Sequence, residues 1–142
     1  MEKKISVIIP VYNEESTIDA IVSRIKEVDL PIDREIVIVD DGSTDGTRDV
    51  LNQYKEKGGI IIFLQSNNKG KGAAVRKGFE LASGDLWLVQ DSDLEYNPDD
   101  YSKLLAPILS GNADVVYGSR FVGGEAHRVL LYWHSSGNKI LT

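Results

Sequence analysis

The stretch Leu86-Trp87-Leu88-Val89-Gln90-Asp91-Ser92-Asp93-Leu94-Glu95 joins an apolar run to carboxylates at every second position. Leu86 to Gln90 reads as a buried strand, and continued extension beyond it turns Asp91, Asp93 and Glu95 to one face at the strand's carboxyl end. Ionised carboxylates about 4 Å apart, at an effective dielectric of about 20, repel by about 4 kcal/mol per pair, so such a cluster calls for a cation, a proton or open water. Oxygen ligands, in a chain without Cys and with no His nearby, favour a hard ion, Mg²⁺ or Mn²⁺. A solvated acidic loop after a strand is the competing reading, and for an isolated Asp-x-Asp it is the stronger one.

What surrounds the stretch decides between them. Upstream, Ile5 to Pro10 reads as a strand halted by proline, followed by the loop Val11 to Glu15. A helix follows, with Ile18, Ile21, Val22, Ile25 and Val28 at helical spacing and a capping-box-like start at Ser16 and Asp19. Glu35 to Asp40 is a second strand. Asp41-Gly42-Ser43-Thr44-Asp45-Gly46 then supplies turn and N-cap chemistry for a helix through Lys57, closed by Gly58-Gly59. Ile60 to Leu64 is a third strand, Ser66 to Gly72 a loop, and Ala74, Val75, Gly78, Phe79 and Ala82 mark a helix ending near Gly84. Downstream, Asn97 caps a helix with Pro98 at its first position and an apolar face of Tyr101, Leu104, Leu105, Ile108 and Leu109; Pro107 predicts a kink or an early end. Asp114 to Gly118 is expected as a fifth strand, Ser119 to His127 as a loop, and Val129 to Thr142 as a helix.

Strands alternating with helices predict an α/β fold, a doubly wound and mostly parallel sheet flanked by helices. In such sheets ligands bind outside the carboxyl ends of the strands. The chain's unusual residues fall at those ends: Pro10 to Glu14, Asp40 to Ser43, Lys69 to Gly72, Asp91 to Glu95, and Ser119-Arg120. That convergence lifts the acidic cluster above the solvated-loop reading.

The 142 residues are read as one domain, 1–142, with an ordinary 42% hydrophobic and 27% charged content. The absence of Cys excludes disulfides and thiolate zinc sites and suits a cytosolic setting. No signal peptide is apparent, and no apolar run approaches the ~20 residues needed to span a bilayer. Met1 to Gly84 carries 12 basic and 14 acidic residues, Asp85 to Gly118 one and seven, and Ser119 to Thr142 three and one. The net charge of −6 is thus concentrated around the opening stretch, the wrong sign for a nucleic-acid groove.

Each motif has a plain reading beside a functional one. Asp40-Asp41-Gly42-Ser43 is either turn chemistry or a place where Asp40 accepts from a nucleobase or ribose. Lys69-Gly70-Lys71-Gly72 is either a flexible charged loop or an anion cradle at a helix start, and it is not a Walker A loop. Tyr12 covers the core edge or stacks on a base. Arg120 is a surface cation or a phosphate ligand. Gly70-x-Gly72-x-x-Val75 imitates a dinucleotide fingerprint, but it has Val at the third position and follows the third strand. The Asp-x-Asp also differs from that of aspartyl-phosphate enzymes, being on the fourth strand with Glu95 following.

Taken together, Val7 to Glu14, Val39 to Thr47, Asn68 to Gly72, Gln90 to Glu95 and Tyr117 to Phe121 resemble the family 2 glycosyltransferases of GT-A (Rossmann-like) fold. The polyprenyl-phosphate sugar synthases are the nearest in pattern, such as dolichyl-phosphate mannose synthase and undecaprenyl-phosphate glucosyltransferases. The resemblance implies a hexosyltransferase that inverts configuration, moving a hexose from a GDP- or UDP-sugar to a polyprenyl phosphate. Pro10, Tyr12, Glu14, Asp40, Lys71 and Asp91 would bind the nucleotide sugar, and Asp91, Asp93 and Glu95 the Mg²⁺ or Mn²⁺. Arg120 and Arg128 would hold the acceptor phosphate, with Asp91, Asp93 and Arg120 as the catalytic set. It further implies a lipid phosphate partner, a cytoplasmic location at the membrane surface, and a C-terminal portion of the natural chain beyond Thr142. A metal-dependent nucleotidyltransferase and a non-catalytic nucleotide-sugar binding fragment are the alternatives.

Overall fold

The structure, a computed structural model, describes residues 3–92 and 97–112 in full, and 115–122 and 125–133 as strand backbone. In chain order the elements are β1 (Lys4–Val11), α1 (Ile18–Glu27), β2 (Asp33–Asp40), α2 (Thr47–Lys57), β3 (Ile61–Leu64), α3 (Lys71–Leu81) and β4 (Leu86–Val89). A 3₁₀ turn (Pro98–Asp100) then leads into α4 (Tyr101–Leu109), followed by β5 (Val115–Val122) and β6 (Glu125–Trp133).

The strands form one sheet in the order β3-β2-β1-β4-β6-β5. β1, β2, β3 and β4 pair in parallel, while β6 runs antiparallel to both β4 and β5. The chain moves outward from β1 to β3 and then returns to lay β4 on the other side of β1. The switch point therefore lies between β1 and β4, where a crevice opens at the carboxyl ends.

The central strands are buried on both faces, and successive side chains enter two different cores. Ile5, Val7, Ile9 and Val11 of β1 join a core with Ile18, Ile21, Val22 and Ile25 of α1, Leu51 of α2, and Tyr101, Leu104 and Leu105 of α4. Ile8 faces the other way, into a smaller core with Val37, Val39, Trp87 and Ala74. That second face is covered by α3, which approaches closely because Gly78 has no side chain: a Cβ there would lie 2.3 Å from Ile8 Cγ2. Phe79 stacks on Trp87 at 4.8 Å between ring centroids, completing the layer.

Three local expectations are corrected. Pro10 does not halt β1, which runs through it to Val11. The Ile8 carbonyl accepts from Gln90 N and the Val11 carbonyl from Asp41 N, so Pro10 faces the β4 side, where the ladder has already ended at Val89. Its missing N–H therefore costs no ladder bond. The α1 start is not a capping box: Thr17 occupies the N-cap without a side-chain cap, and its hydroxyl donates to Glu14 Oε2 at 2.8 Å. The third correction is the largest. Residues expected as a loop (Ser119 to His127) and a helix (from Val129) form most of the β5–β6 hairpin. The apolar run Val129 to Trp133 is too short for periodicity to separate helix from strand. Pairing with the free edge of β4, Leu86 opposite Trp133, decides it. Pro107 sits inside α4, which ends two residues later, in accord with an early stop.

The amino ends of the strands are closed by a carboxylate. Glu35 accepts from Ser6 Oγ at 2.5 Å, Ser83 N at 2.6 Å and Ser83 Oγ at 2.7 Å, and pairs with Lys4 at 3.2 Å. Burial raises its pKa, but the hydrogen bonds outweigh this and bring it from 4.5 to about 2. A carboxylate depressed on folding stabilises the protein above its unfolded pKa and loses that contribution as pH falls through the folded one. Stability is expected to drop between pH 4.5 and about 2, and Glu35→Gln should flatten that limb in urea melts while lowering stability at neutral pH by on the order of 1–3 kcal/mol.

Candidate active site

Three strand-to-helix loops converge at the carboxyl ends of β1, β2 and β3. Asn13, at φ 52°, accepts on Oδ1 from Thr44 N (2.8 Å) and Asp45 N (3.3 Å), and its own N–H donates to Ser43 Oγ (2.9 Å). Glu14 N donates to Thr47 Oγ1 at 2.9 Å, and Gly46 N to Glu15 Oε2 at 3.0 Å. The first loop is thereby tied to the second. Gly42, at φ +79°, lies so close to the third loop that a Cβ would sit 2.6 Å from Asn68 N.

The adjacent aspartates divide the work. Asp40 is 0% exposed; its Oδ2 accepts from Gly42 N and Ser43 N, both at 3.1 Å, and from Arg48 Nε at 2.8 Å. Its Oδ1 is buried with no hydrogen-bond partner among the described residues. Through Oδ2 this side chain holds the turn, and Asp40 is not among the residues that line the cavity at the strand ends. Asp41 takes the place at the crevice. Its Oδ1 accepts from Gln65 Nε2 and Lys69 N, both at 2.7 Å, and its Oδ2 from Gly70 N at 3.0 Å. Asp41 belongs to a motif the sequence had singled out. Gln65, by contrast, sits in no recognisable pattern and was missed.

A cavity of about 360 Å³ opens here, lined by Pro10, Tyr12 and Glu14 from the end of β1, Asp41 from β2, Lys71 from α3 and Asp91 after β4. That volume is in the range of small-ligand sites, about 300–1,000 Å³. Tyr12 is 46% exposed at the rim. Lys71 forms an ion pair with Asp91. Gly70, Lys71 and Ala74 bring the amino end of α3 to the cavity, so that the helix dipole and the ammonium both favour an anion.

Of the residues expected at the site, Pro10, Tyr12, Glu14, Lys71 and Asp91 are brought together. β4 ends at Val89 and the chain bends at Ser92, so the extended alternation assumed for the acids does not run on from the strand. Asp93 and Glu95 lie outside the described residues. Arg120 and Arg128 fall on the β5–β6 hairpin at neighbouring rungs, opposite His127 and Ser119; their side chains also lie outside the description. Among the described residues no group of three acids or imidazoles could hold a metal. Asp91 does offer the hard carboxylate donor that Mg²⁺ or Mn²⁺ requires, and a cation, Lys71, already rests against it.

The sequence model of glycosyl transferase family 2 matches residues 6–136. The chain belongs to this family. A dolichol-phosphate mannosyltransferase of Pyrococcus furiosus is 39% identical over 121 residues, 85% of this chain and 34% of the relative. An undecaprenyl-phosphate 4-deoxy-4-formamido-L-arabinose transferase of Aeromonas hydrophila is 35% identical over 113 residues, 77% of this chain and 35% of the relative. The chain thus spans about a third of the length of these curated relatives. Among solved structures, glucosyl-3-phosphoglycerate synthase from Mycobacterium tuberculosis, in complex with Mn²⁺, UDP and phosphoglyceric acid, is 29% identical. It superposes with a TM-score of 0.64 over 80% of this chain and 42% of its own. The family 2 domain seen here is accordingly of GT-A fold, with a mostly parallel sheet flanked by helices. No helix among the described residues is long and apolar enough to cross a membrane.

In this glycosyl transferase domain the Asp41 carboxylate is the acceptor for three N–H groups of the third loop. Asp41→Ala is expected to cost roughly 2–4 kcal/mol, the range for losing a charged acceptor shared by several donors. Hydrogen exchange at Lys69 and Gly70 should quicken more than at Val37 or Ile38 in the core.

Proposed function

We propose that the protein moves a hexose from a nucleotide-diphosphate sugar to a polyprenyl phosphate, with Mg²⁺ or Mn²⁺ bound at Asp91 and Asp93. The observation that carries the reading is the cavity at the β1–β4 switch point, where an exposed aromatic ring, a helix amino end with its lysine, and the first acid of Asp-x-Asp share one wall. An aromatic ring suits a nucleobase, the helix end and Lys71 suit a diphosphate, and the acid suits the cation that accompanies it. Support also comes from the relatives: two are named for transfer to dolichol or undecaprenyl phosphate, and one solved neighbour was crystallised with Mn²⁺ and UDP.

Each group in the chain then has a task. Tyr12 offers a flat surface to the base. Lys71 would offer its ammonium to the diphosphate and meet the charge that develops as the sugar leaves. The metal, when bound, stabilises that same charge. Glu95 is assigned as a further ligand of the metal. A lipid phosphate is already an anion near neutral pH and needs no general base, so orientation by Arg120 of β5 and Arg128 of β6 is sufficient. Acceptor binding brings the protein to a membrane surface on the cytoplasmic side, where nucleotide sugars are available.

Thermal-shift measurements should show stabilisation by UDP- or GDP-sugars with Mn²⁺ and little by nucleoside triphosphates; preference for triphosphates would favour a nucleotidyltransferase. Asp93→Ala should abolish the Mn²⁺-dependent part of donor binding, and an unchanged titration refutes the metal assignment. Arg120→Ala is expected to lower transfer to a short polyprenyl phosphate by about 100-fold or more while leaving donor affinity within a few-fold. Equal losses in both would remove Arg120 from the acceptor site, and no transfer or donor hydrolysis by the unaltered protein would leave only a binding domain.

A further inference from the structure

The residue before Asp91 is polar, buried and so far without a task. Gln90 is 0% exposed, as is Tyr101 of α4. The Tyr101 hydroxyl donates to Gln90 Oε1, which orients the amide so that Nε2 donates to the Asp91 carbonyl at 3.1 Å. The Gln90 N–H donates to the Ile8 carbonyl at 2.8 Å. Both ladders of β4 end at Val89, opposite Ile8 on one side and Leu130 on the other. Asp91 therefore begins where sheet pairing stops, and the Gln90 amide grips its main chain.

Stability alone does not call for this arrangement. A buried phenol and a buried amide are each costly without a partner, whereas an apolar pair of similar volume fills the same space without that risk. What the pair adds is direction. Through Tyr101 it ties Asp91 to the helical layer of α1, α2 and α4, while Lys71 steadies the Asp91 carboxylate from α3 on the opposite face of the sheet. We propose that Gln90 and Tyr101 are positioning residues, and that their buried phenol–amide bridge aims Asp91 into the cavity for the metal and the diphosphate. The proposal rests on the nucleotide-sugar reading of that cavity.

Removing partners singly and together separates aim from stability. Tyr101→Phe alone leaves Gln90 Oε1 without its donor and lowers the melting temperature, as does Gln90→Met, which removes the acceptor of the Tyr101 hydroxyl and the donor to the Asp91 carbonyl. The double replacement removes both ends of the phenol–amide bridge, so its melting temperature should fall by less than the sum of the two single losses. Affinity for Mn²⁺ with UDP, and for Mn²⁺ with GDP, is then measured by calorimetry. In the double variant it should stay weakened by about tenfold or more despite the partly recovered stability. Tyr101→Phe, which keeps the ring and loses only the hydroxyl, should show the same direction well below its melting temperature. Affinity that recovers together with stability overturns the positioning role. Asp91→Ala, measured alongside, keeps the two readings apart. If it binds as tightly as the unaltered protein, the role of Asp91 in the nucleotide-sugar site falls; if it loses binding while the double variant keeps it, only the positioning role falls.

Discussion

The buried carboxylate of Asp41 is the point on which the open end of the sheet depends. Its main chain continues the β1–β2 pairing, with Asp41 N donating to the Val11 carbonyl at 2.8 Å. Its side chain accepts from Gln65, Lys69 and Gly70 in the loop after β3. One residue thus connects the ends of three strands. N–H groups brought together need an acceptor, and an ionised carboxylate with two oxygens can serve three of them, here two from the backbone and one from the Gln65 amide. Without it the third loop would have to turn its N–H groups outward, and the amino end of α3 would leave the cavity.

That third loop sets where the cation of the site lies. Lys71 is the first residue of α3, one position after Gly70, so the grip on Gly70 places its ammonium over the crevice. The resulting pair with Asp91 is largely exposed, 63% for Lys71 and 38% for Asp91, and such pairs contribute little to stability. Asp91 is held from a different direction, by the Gln90 amide on its carbonyl. The two sides of the crevice are therefore built from opposite faces of the sheet, which is why the site lies over the strand ends and not within either core.

The negative charge that the sequence concentrates between Asp85 and Gly118 acquires a shape from this frame. Asp91 lines the cavity, whereas Asp99 lies in the 3₁₀ turn, where its N–H donates to Asn97 Oδ1 at 3.1 Å. The two acids serve different ends because one follows the end of β4 and the other opens a new element.

The parallel strands β1 to β4 and helices α1 to α4 were legible in the sequence, because burial on both faces gives short continuous apolar runs in strands and one-sided burial imposes period 3.6 on helices. That Tyr12, Glu14, Lys71 and Asp91 would meet was legible as well, since each stands between the carboxyl end of a strand and the first turn of the element after it, where α/β sheets bind ligands. Three things were not. Pro10 stays within β1 because its neighbour β4 is short, and the length of one strand is not written in another. The β5–β6 hairpin replaces a loop and a helix because the free edge of β4 offers hydrogen bonds to a run too short to declare its own period. That Asp41 and not Asp40 lines the cavity follows from which of two adjacent carboxylates the third loop closes upon. Local chemistry in the chain determined which residue types stand at the strand ends; only the approach of distant loops decided which face the ligand and which hold the frame, because a hydrogen bond needs a partner that no single segment contains.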